Sequence, residues 1–225
     1  MPSPAKISVL ISGSGSNLQA LIDANKNSDS NAPTLPNATF TRVISDRASA
    51  YGLERAKNAN IPTSTHGFLP YKKRFPDPSG SLPYQQAREA YDADLAKLVL
   101  SDSPDLVVCA GFMRILTNAF LSALEKAGVR IINLHPSLHG DLVGAGCIER
   151  AWKEFEEGKR TKTGIMVHYV IAAVDEGEPI CQREVEIEGC KSLAELEERM
   201  HEAEHVLIVE GAGKVVQDIV KGKEN

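Results

Sequence analysis

The sequence predicts an α/β protein, a doubly wound and mostly parallel sheet flanked by helices, and three observations carry that prediction. First, residues 6–12, Lys-Ile-Ser-Val-Leu-Ile-Ser, read as a buried strand that opens into Gly13-Ser14-Gly15-Ser16-Asn17 and an amphipathic helix from Leu18 to Asn25. Second, apolar runs of the fully buried type recur at 105–111 and 129–134, separated by a helical stretch from Thr117 to Ala127 that Gly128 ends. Third, the later run closes on a polar pair, Asn133 and His135, and Pro136 stops the strand by removing a backbone donor. Such alternation of strand and helix gives a parallel sheet whose ligands lie beyond the strand carboxyl ends.

The other elements follow in chain order. Residues 26–38, with three asparagines, two prolines and three serines or threonines, form a polar loop before a strand from Thr39 to Ser45. Ala50 to Asn60 reads as helix. Residues 61–83 hold five prolines and two glycines, which excludes long regular structure and predicts one short strand plus an exposed, mobile loop. Pro83 opens a helix from Tyr84 to Leu100, whose stripe through Ala87, Tyr91, Leu95 and Leu98 leaves Arg88 to one side. Phe112-Met113-Arg114-Ile115-Leu116 is an apolar loop, which either packs beneath a helix or walls a pocket for a flat heterocycle. Beyond the glycine-rich stretch Gly140 to Gly146 come a helix from Ile148 to Gly158 and a strand from Gly164 to Val174, alternating through Ile165, Val167 and Tyr169. Asp175 is read at the end of that strand. A strand at 180–188 precedes a last long helix, for which Ser192 and Glu195 supply a capping box. A single domain is expected over 1–225, without internal repeat or domain-scale linker.

Composition narrows the partners. A net charge of -5 and a pI near 5.7 exclude a broad nucleic-acid surface, so an anionic ligand has to be held by a local cluster. No apolar run approaches the ~18 residues of a membrane helix, and the N-terminus has no signal-peptide apolar region. The four cysteines show no Cys-x-x-Cys spacing and are expected to be reduced. The expectation is a cytoplasmic protein without membrane or nucleic-acid partners.

Two motifs point to chemistry. Asn133 and His135 stand at i and i+2, so their side chains share a face about 7 Å apart, and an amide and an imidazole face one crevice unless they only satisfy local backbone. In the 13–17 loop, glycines permit close backbone approach and the first amides of the helix suit a phosphate. Leu18 occupies the position of a dinucleotide fingerprint's third glycine and no Gly-Lys-Ser/Thr follows, so a monophosphate fits better than NAD or ATP. The last helix also carries His201-Glu202-Ala203-Glu204-His205, which matches a zinc-peptidase pattern. A third ligand is missing from any convincing place, since residue 208 is Ile and the only later acids are Glu210, Asp218 and Glu224. No metal is expected.

Taken together, Gly-Ser-Gly-Ser-Asn-Leu-Gln at 13–19, Ala-Gly-Phe-Met-Arg-Ile-Leu at 110–116, Asn-Leu-His-Pro-Ser-Leu at 133–138 and the 164–179 stretch closely resemble the phosphoribosylglycinamide formyltransferase family over nearly the whole chain. The resemblance implies a Rossmann-like formyltransferase fold and transfer of formyl from 10-formyltetrahydrofolate, as cosubstrate, to the amino group of glycinamide ribonucleotide in purine synthesis. It implies Asn133, His135 and Asp175 as the catalytic set. Gly15, Ser16 and Asn17 would hold the substrate phosphate, with His201 and Glu204 reaching the ribonucleotide. For the folate it implies Arg88 at the glutamate tail, Met113, Arg114, Ile115 and Leu116 around the pterin with Asn133 beside them, and Ile171, Ala172, Ala173 and Val174 closing over the heterocycle. Residues 5–103 would then form the phosphate side and 104–221 the folate and catalytic side, in a monomer or homodimer.

One segment departs from the pattern of the stand-alone members. His139 replaces a proline, and Gly146-Cys147 replaces His-Ala, which loosens the loop. Other formyltetrahydrofolate users, such as a methionyl-tRNA formyltransferase or a deformylating hydrolase, carry an extra domain for which this chain has no room. A non-catalytic phosphate-binding module is the alternative from a different class, favoured by the altered loop, and a turnover assay separates it from the enzyme.

Overall fold

The structure, a computed structural model, describes residues 3–26, 34–75 and 82–223. Seven strands form one sheet: β1 Ala5–Ile11, β2 Ala38–Ser45, β3 Thr63–Thr65, β4 Leu106–Cys109, β5 Arg130–His135, β6 Lys162–Tyr169 and β7 Pro179–Glu186. Their order is β3-β2-β1-β4-β5-β6-β7. The first five are parallel, whereas β6 pairs antiparallel with β5 and β7 antiparallel with β6. The chain lays β2 on one side of β1 and β4 on the other, so the switch point that opens a ligand crevice lies between the carboxyl ends of β1 and β4.

The helices are α1 Ser16–Lys26, α2 Tyr51–Asn58, α3 Leu69–Arg74, α4 Leu82–Leu100, α5 Asn118–Lys126, α6 Cys147–Glu156 and α7 Leu193–Gly222. Alternation along the strands sorts them into two layers. Ile7, Val9, Ile132 and Val167 pack with α1, α2, α6 and α7, while Leu10, Val107, Cys109 and Ile131 pack with Tyr91, Leu95 and Val99 of α4 and Phe120 and Leu124 of α5. Burying each such aliphatic side chain contributes about 1.5–3 kcal/mol, which fixes the sheet against both layers.

Helix α7 is capped as its sequence requires: the Ser192 hydroxyl accepts the Glu195 amide at 3.3 Å and the Glu195 carboxylate accepts the Lys191 amide at 2.9 Å. Its Gly211 lies against β6, where an added Cβ would sit 2.7 Å from Val167 Cγ1. The polar flank of the same helix meets the start of α1, where Glu204 accepts from Asn17.

The proline-rich stretch contains the expected short strand, β3, and also the two-turn helix α3, which the proline count did not suggest. Residues 27–33 of the polar loop and 76–81 of the proline-rich loop lie outside the described residues, and the expected mobility at 61–83 falls partly on them. The strand read as reaching Val174 ends at Tyr169. Asp175 is therefore not a strand-end residue, because residues 170–178 form the connection between β6 and β7.

Candidate active site

The loop after β1 is shaped by two glycines from different elements. Gly15 has φ +70°, and a Cβ there would lie 2.6 Å from Gly52 Cα of α2. Arg55 of the same helix donates from Nε to the Ser14 carbonyl at 2.9 Å and from Nη1 to Gln19 Oε1 at 3.2 Å, and the Gly52 amide donates to the Gly13 carbonyl at 3.1 Å. With the loop held from outside, α1 starts at Ser16, and its first amides, which have no acceptor within the helix, form an anion cradle.

That cradle opens on a cavity of ≈ 350 Å³, whose lining includes Gly15, Ser16, Asn17, Arg47, His201 and Glu204. Asn17 and Glu204 are both buried, and Asn17 Nδ2 donates to Glu204 Oε2 at 3.1 Å, while Asn17 Oδ1 has no partner. His201 is exposed one turn earlier on α7. Arg47 is exposed on the loop after β2 and presents a guanidinium with no ion-pair partner among the described residues. Toward the sheet the same cavity is lined by Gly111 and Met113 beyond β4 and by Leu134 and Pro136 at the end of β5.

Beside that end lies the polar cluster. Asn133 and His135 alternate with Ile132 and Leu134 and so face the side opposite to α1 and α7. Antiparallel pairing sets His168 opposite Asn133 and Met166 opposite His135. The connection 170–178 then folds back, with Asp175 in the left-handed region at φ 58°. Asp175 Oδ2 comes within 3.4 Å of His135 Nδ1, and Oδ1 within 3.7 Å of His168 Nε2.

Hydrogen bonding assigns the ring nitrogens. A carbonyl only accepts, so His135 Nε2 carries a proton, donated to the Leu142 carbonyl at 2.7 Å, and Nδ1 is left facing Asp175. His168 Nδ1 likewise donates to the Tyr169 carbonyl at 2.9 Å, which leaves Nε2 to accept from Asn133 Nδ2 at 3.3 Å. This is the neutral ring, with the Asn133 amide closer than Asp175; protonating His168 would turn its Nε2 into a donor to the carboxylate. Burial pushes the Asp175 carboxyl up, but it is outweighed by the neighbouring His168, the Gly144 amide at 3.0 Å and the neighbouring His135, which hold the carboxyl below its ordinary value.

The loop beyond β4 combines both sequence alternatives. Phe112 and Leu116 pack against the α4 and α5 layer, while Met113 and Ile115 are exposed. Arg114 turns inward, its guanidinium 4.1 Å from the Phe68 ring centroid and 4.9 Å from that of Tyr91, and 3.8 Å from Asp46 Oδ2. Arg88 Nη2 donates to the Ile115 carbonyl at 2.9 Å, so the two arginines brace this loop from α4 and from below. Ile171, Ala172 and Ala173 are exposed on the 170–178 connection and Val174 is partly buried.

The fold thus brings together every polar residue expected at the phosphate cradle and at the catalytic cluster. Sequence reasoning missed His168, Arg47, Gly52 and the Leu142–Gly144 backbone. For His168 a signal existed: with Ile165 and Val167 turned to one face of β6, a histidine on the other face, on a strand beside Asn133, is a candidate partner. The His201/His205 pair gains no third ligand, and no group of three metal-ligating side chains occurs among the described residues.

A doubly wound sheet with an anion cradle at its switch point, and an imidazole–carboxylate–amide cluster beside it, defines a class of small-molecule enzyme built for group transfer at a phosphorylated substrate. The chain belongs to the formyl transferase family, whose sequence model matches residues 5–211. It is 49% identical over 214 residues to the phosphoribosylglycinamide formyltransferase of Schizosaccharomyces pombe, covering 95% of this chain and 98% of that one. The enzyme of the same name from Saccharomyces cerevisiae is 46% identical over 220 residues, covering 96% and 100%. Among solved structures, the phosphoribosylglycinamide formyltransferase of Coxiella burnetii superposes with a TM-score of 0.76 at 35% identity, over 96% of this chain and 88% of that one.

Proposed function

We propose that this chain transfers the formyl group of 10-formyltetrahydrofolate to the amino group of glycinamide ribonucleotide, a step of purine biosynthesis. The observation that carries this reading is that one cavity is lined both by the amide cradle at Gly15 and by Leu134 and Pro136, the chain neighbours of His135, whose imidazole pairs with Asp175. A phosphate seated on the amides of Ser16 and Asn17 and beside Arg47 directs the rest of the ribonucleotide along that cavity. Glu204 accepts ribose hydroxyls and His201 covers them. Residues 5–103 supply the phosphate loop and 104–221 the reacting end, with α7 crossing back to the first half.

The exposed apolar side chains Met113 and Ile115 on one loop and Ile171 on another suit a flat heterocycle, with backbone groups between Arg114 and Val174 reading its polar edge. Arg88 and the loop it braces face the glutamate end. Attack of the amine forms a C–N bond and places negative charge on the formyl oxygen. Asn133 Nδ2 and a protonated His135 stabilise that oxyanion; a donor of this kind is worth about 3–4 kcal/mol. Asp175 accepts the proton lost by the attacking nitrogen, directly or through water, and the departing folate nitrogen takes up a proton.

As folded, both ring nitrogens of His135 are engaged, so donation to the oxyanion shares the Nδ1 proton with Asp175 or releases Nε2 from Leu142. The altered 138–147 segment gives the pair two backbone groups, the Leu142 carbonyl and the Gly144 amide, and one replaced side chain, the Cys147 thiol, whose Sγ lies 3.6 Å from His135 Nε2. The backbone contacts do not depend on the replaced side chains, so the segment is compatible with activity. We assign the protein to the cytoplasm as a monomer or homodimer; no helix among the described residues is long and apolar enough to cross a membrane. The test is to mix the protein with glycinamide ribonucleotide and a 10-formyl folate analogue and follow deformylation optically. Deformylation that requires the ribonucleotide is expected; none, or deformylation without it, contradicts the assignment.

A further inference from the structure

We propose that Ser137 is a positioning residue for His135 and Asp175, acting through the backbone of Leu142 to Gly144. The inference rests on the formyl-transfer reading for its rate effects but not for its geometry. Ser137 is wholly buried, and its hydroxyl oxygen accepts the Leu142 amide at 3.0 Å. The carbonyl of that same Leu142 accepts the Nε2 proton of His135 at 2.7 Å. Two residues on, the Gly144 amide donates to Asp175 Oδ2 at 3.0 Å. A three-residue bracket therefore touches both members of the pair, and Ser137 is the side chain that fastens its near end to the strand that carries His135.

The bracket has little rigidity of its own. Gly140, Gly144 and Gly146 all have positive φ, at 76°, 82° and 68°, and the segment belongs to no helix or strand. Ordering such residues costs about 1–2 kcal/mol each, so fixed contacts must hold them. Those contacts are the Ser137 hydroxyl, the Cys147 thiol donating to the Gly144 carbonyl at 3.1 Å and the Leu142 carbonyl at 3.5 Å, and Arg150 Nη1 donating to the Val143 carbonyl at 2.8 Å. Of these, only the Ser137 contact is made to Leu142's own amide, next to the carbonyl that meets the imidazole.

The consequence is chemical. With acceptors on both sides of the ring, Leu142 on Nε2 and Asp175 on Nδ1, the imidazole has one orientation and a defined proton position. Freeing Leu142 lets the ring flip and present the wrong nitrogen to the carboxylate. Outer hydrogen bonds of this type change activity by about 10–100-fold where they orient a reacting group.

The test uses the intact protein. Ser137→Ala is expected to lower kcat by about tenfold or more, with both KM values within about twofold, and to move the pH profile of kcat. In a His135→Asn background the same change is expected to cost far less than in the wild type, because Ser137 acts through the His135–Asp175 pair, which that background has already broken. NMR of the substrate-free protein is the independent arm: a slowly exchanging His135 Nε2 proton in the wild type, lost or broadened in Ser137→Ala. Ser137→Cys, close in shape and a poor acceptor, replaces Ser137→Ala if the latter does not fold. Multiplicative losses in the double variant, an unmoved pH profile, or an unchanged His135 proton would overturn the proposal. A wild type without formyl transfer but with the ring proton lost on substitution would overturn the catalytic reading and leave the bracket standing.

Discussion

Gly15 and Gly52 meet backbone to backbone: a Cβ on Gly15 would come within 2.6 Å of Gly52 Cα, and one on Gly52 within 3.1 Å of Gly15 Cα. The 13–17 loop thus has its shape because α2 presses on it. Gly15→Ala adds a steric clash to a left-handed φ, and is expected to destabilise by about 2–4 kcal/mol. Urea unfolding checks this; wild-type stability would show that the contact relaxes without cost. A larger residue such as Val at 15 is consequently a test of folding before it is a test of phosphate binding.

Arg47 offers the cleaner probe of the anion site. It is exposed, lines the cavity and has no ion-pair partner among the described residues, so Arg47→Ala should leave stability within about 0.5 kcal/mol. Loss of a cation from the phosphate end should weaken glycinamide ribonucleotide binding by about tenfold and reduce its salt dependence. Calorimetric titration at two ionic strengths measures both. Unchanged affinity would move the phosphate elsewhere.

Asp175 sets an acid limit. Burial raises its carboxyl, but His168, the Gly144 amide and the charge of His135 outweigh burial and keep it below the ordinary 3.8. A depressed carboxyl contributes stability that is present above 3.8 and lost as pH falls through the lower folded value. The stability difference between wild type and Asp175→Asn is therefore expected to shrink as the solution is acidified below that range. Unfolding curves across the acid range test it; a difference that grows on acidification would reverse the sign of the assignment.

A chelator should not change turnover. His201 and His205 lie one helical turn apart but have no third protein ligand among the described residues, and His205 Nε2 is buried without a partner. Elemental analysis of protein purified without chelator is expected to show no stoichiometric metal. Activity lost on chelation and restored by zinc would contradict this.

How much of this was legible in the sequence depends on the range of the interaction. The apolar run at 6–12 with its glycine loop, and the break at Pro136, are local signals, and they placed the first strand and the polar cluster; the sorting of Ile7, Val9 and Ile11 to one layer and Leu10 to the other appears only in the packing. The antiparallel turn of β6 and β7 was not visible, because the residues of β6 read equally well in either direction. Asp175 was found for its chemistry but misplaced at a strand end, since the hydrophobic run to Val174 continues past Tyr169, where β6 ends, and past the last backbone bond to β5, from Val170 to Ile131 at 2.9 Å. His168 depends on a cross-strand pairing, and the Leu142 carbonyl has no side chain to read. Arg47 looks like any surface arginine until the loop after β2 is folded beside the cradle.

If His135 and Asp175, 3.4 Å apart, act as one catalytic unit, a double-mutant cycle on single-turnover formyl transfer reveals it. Asp175→Asn keeps the size and removes the proton acceptor, so it is expected to cost about 100- to 10,000-fold in the maximal rate with both ligands still bound. His135→Asn should be impaired comparably, and the double variant should lose far less than the product of the two single losses. Near-normal turnover in Asp175→Asn, or fully multiplicative losses around the cycle, would contradict the account.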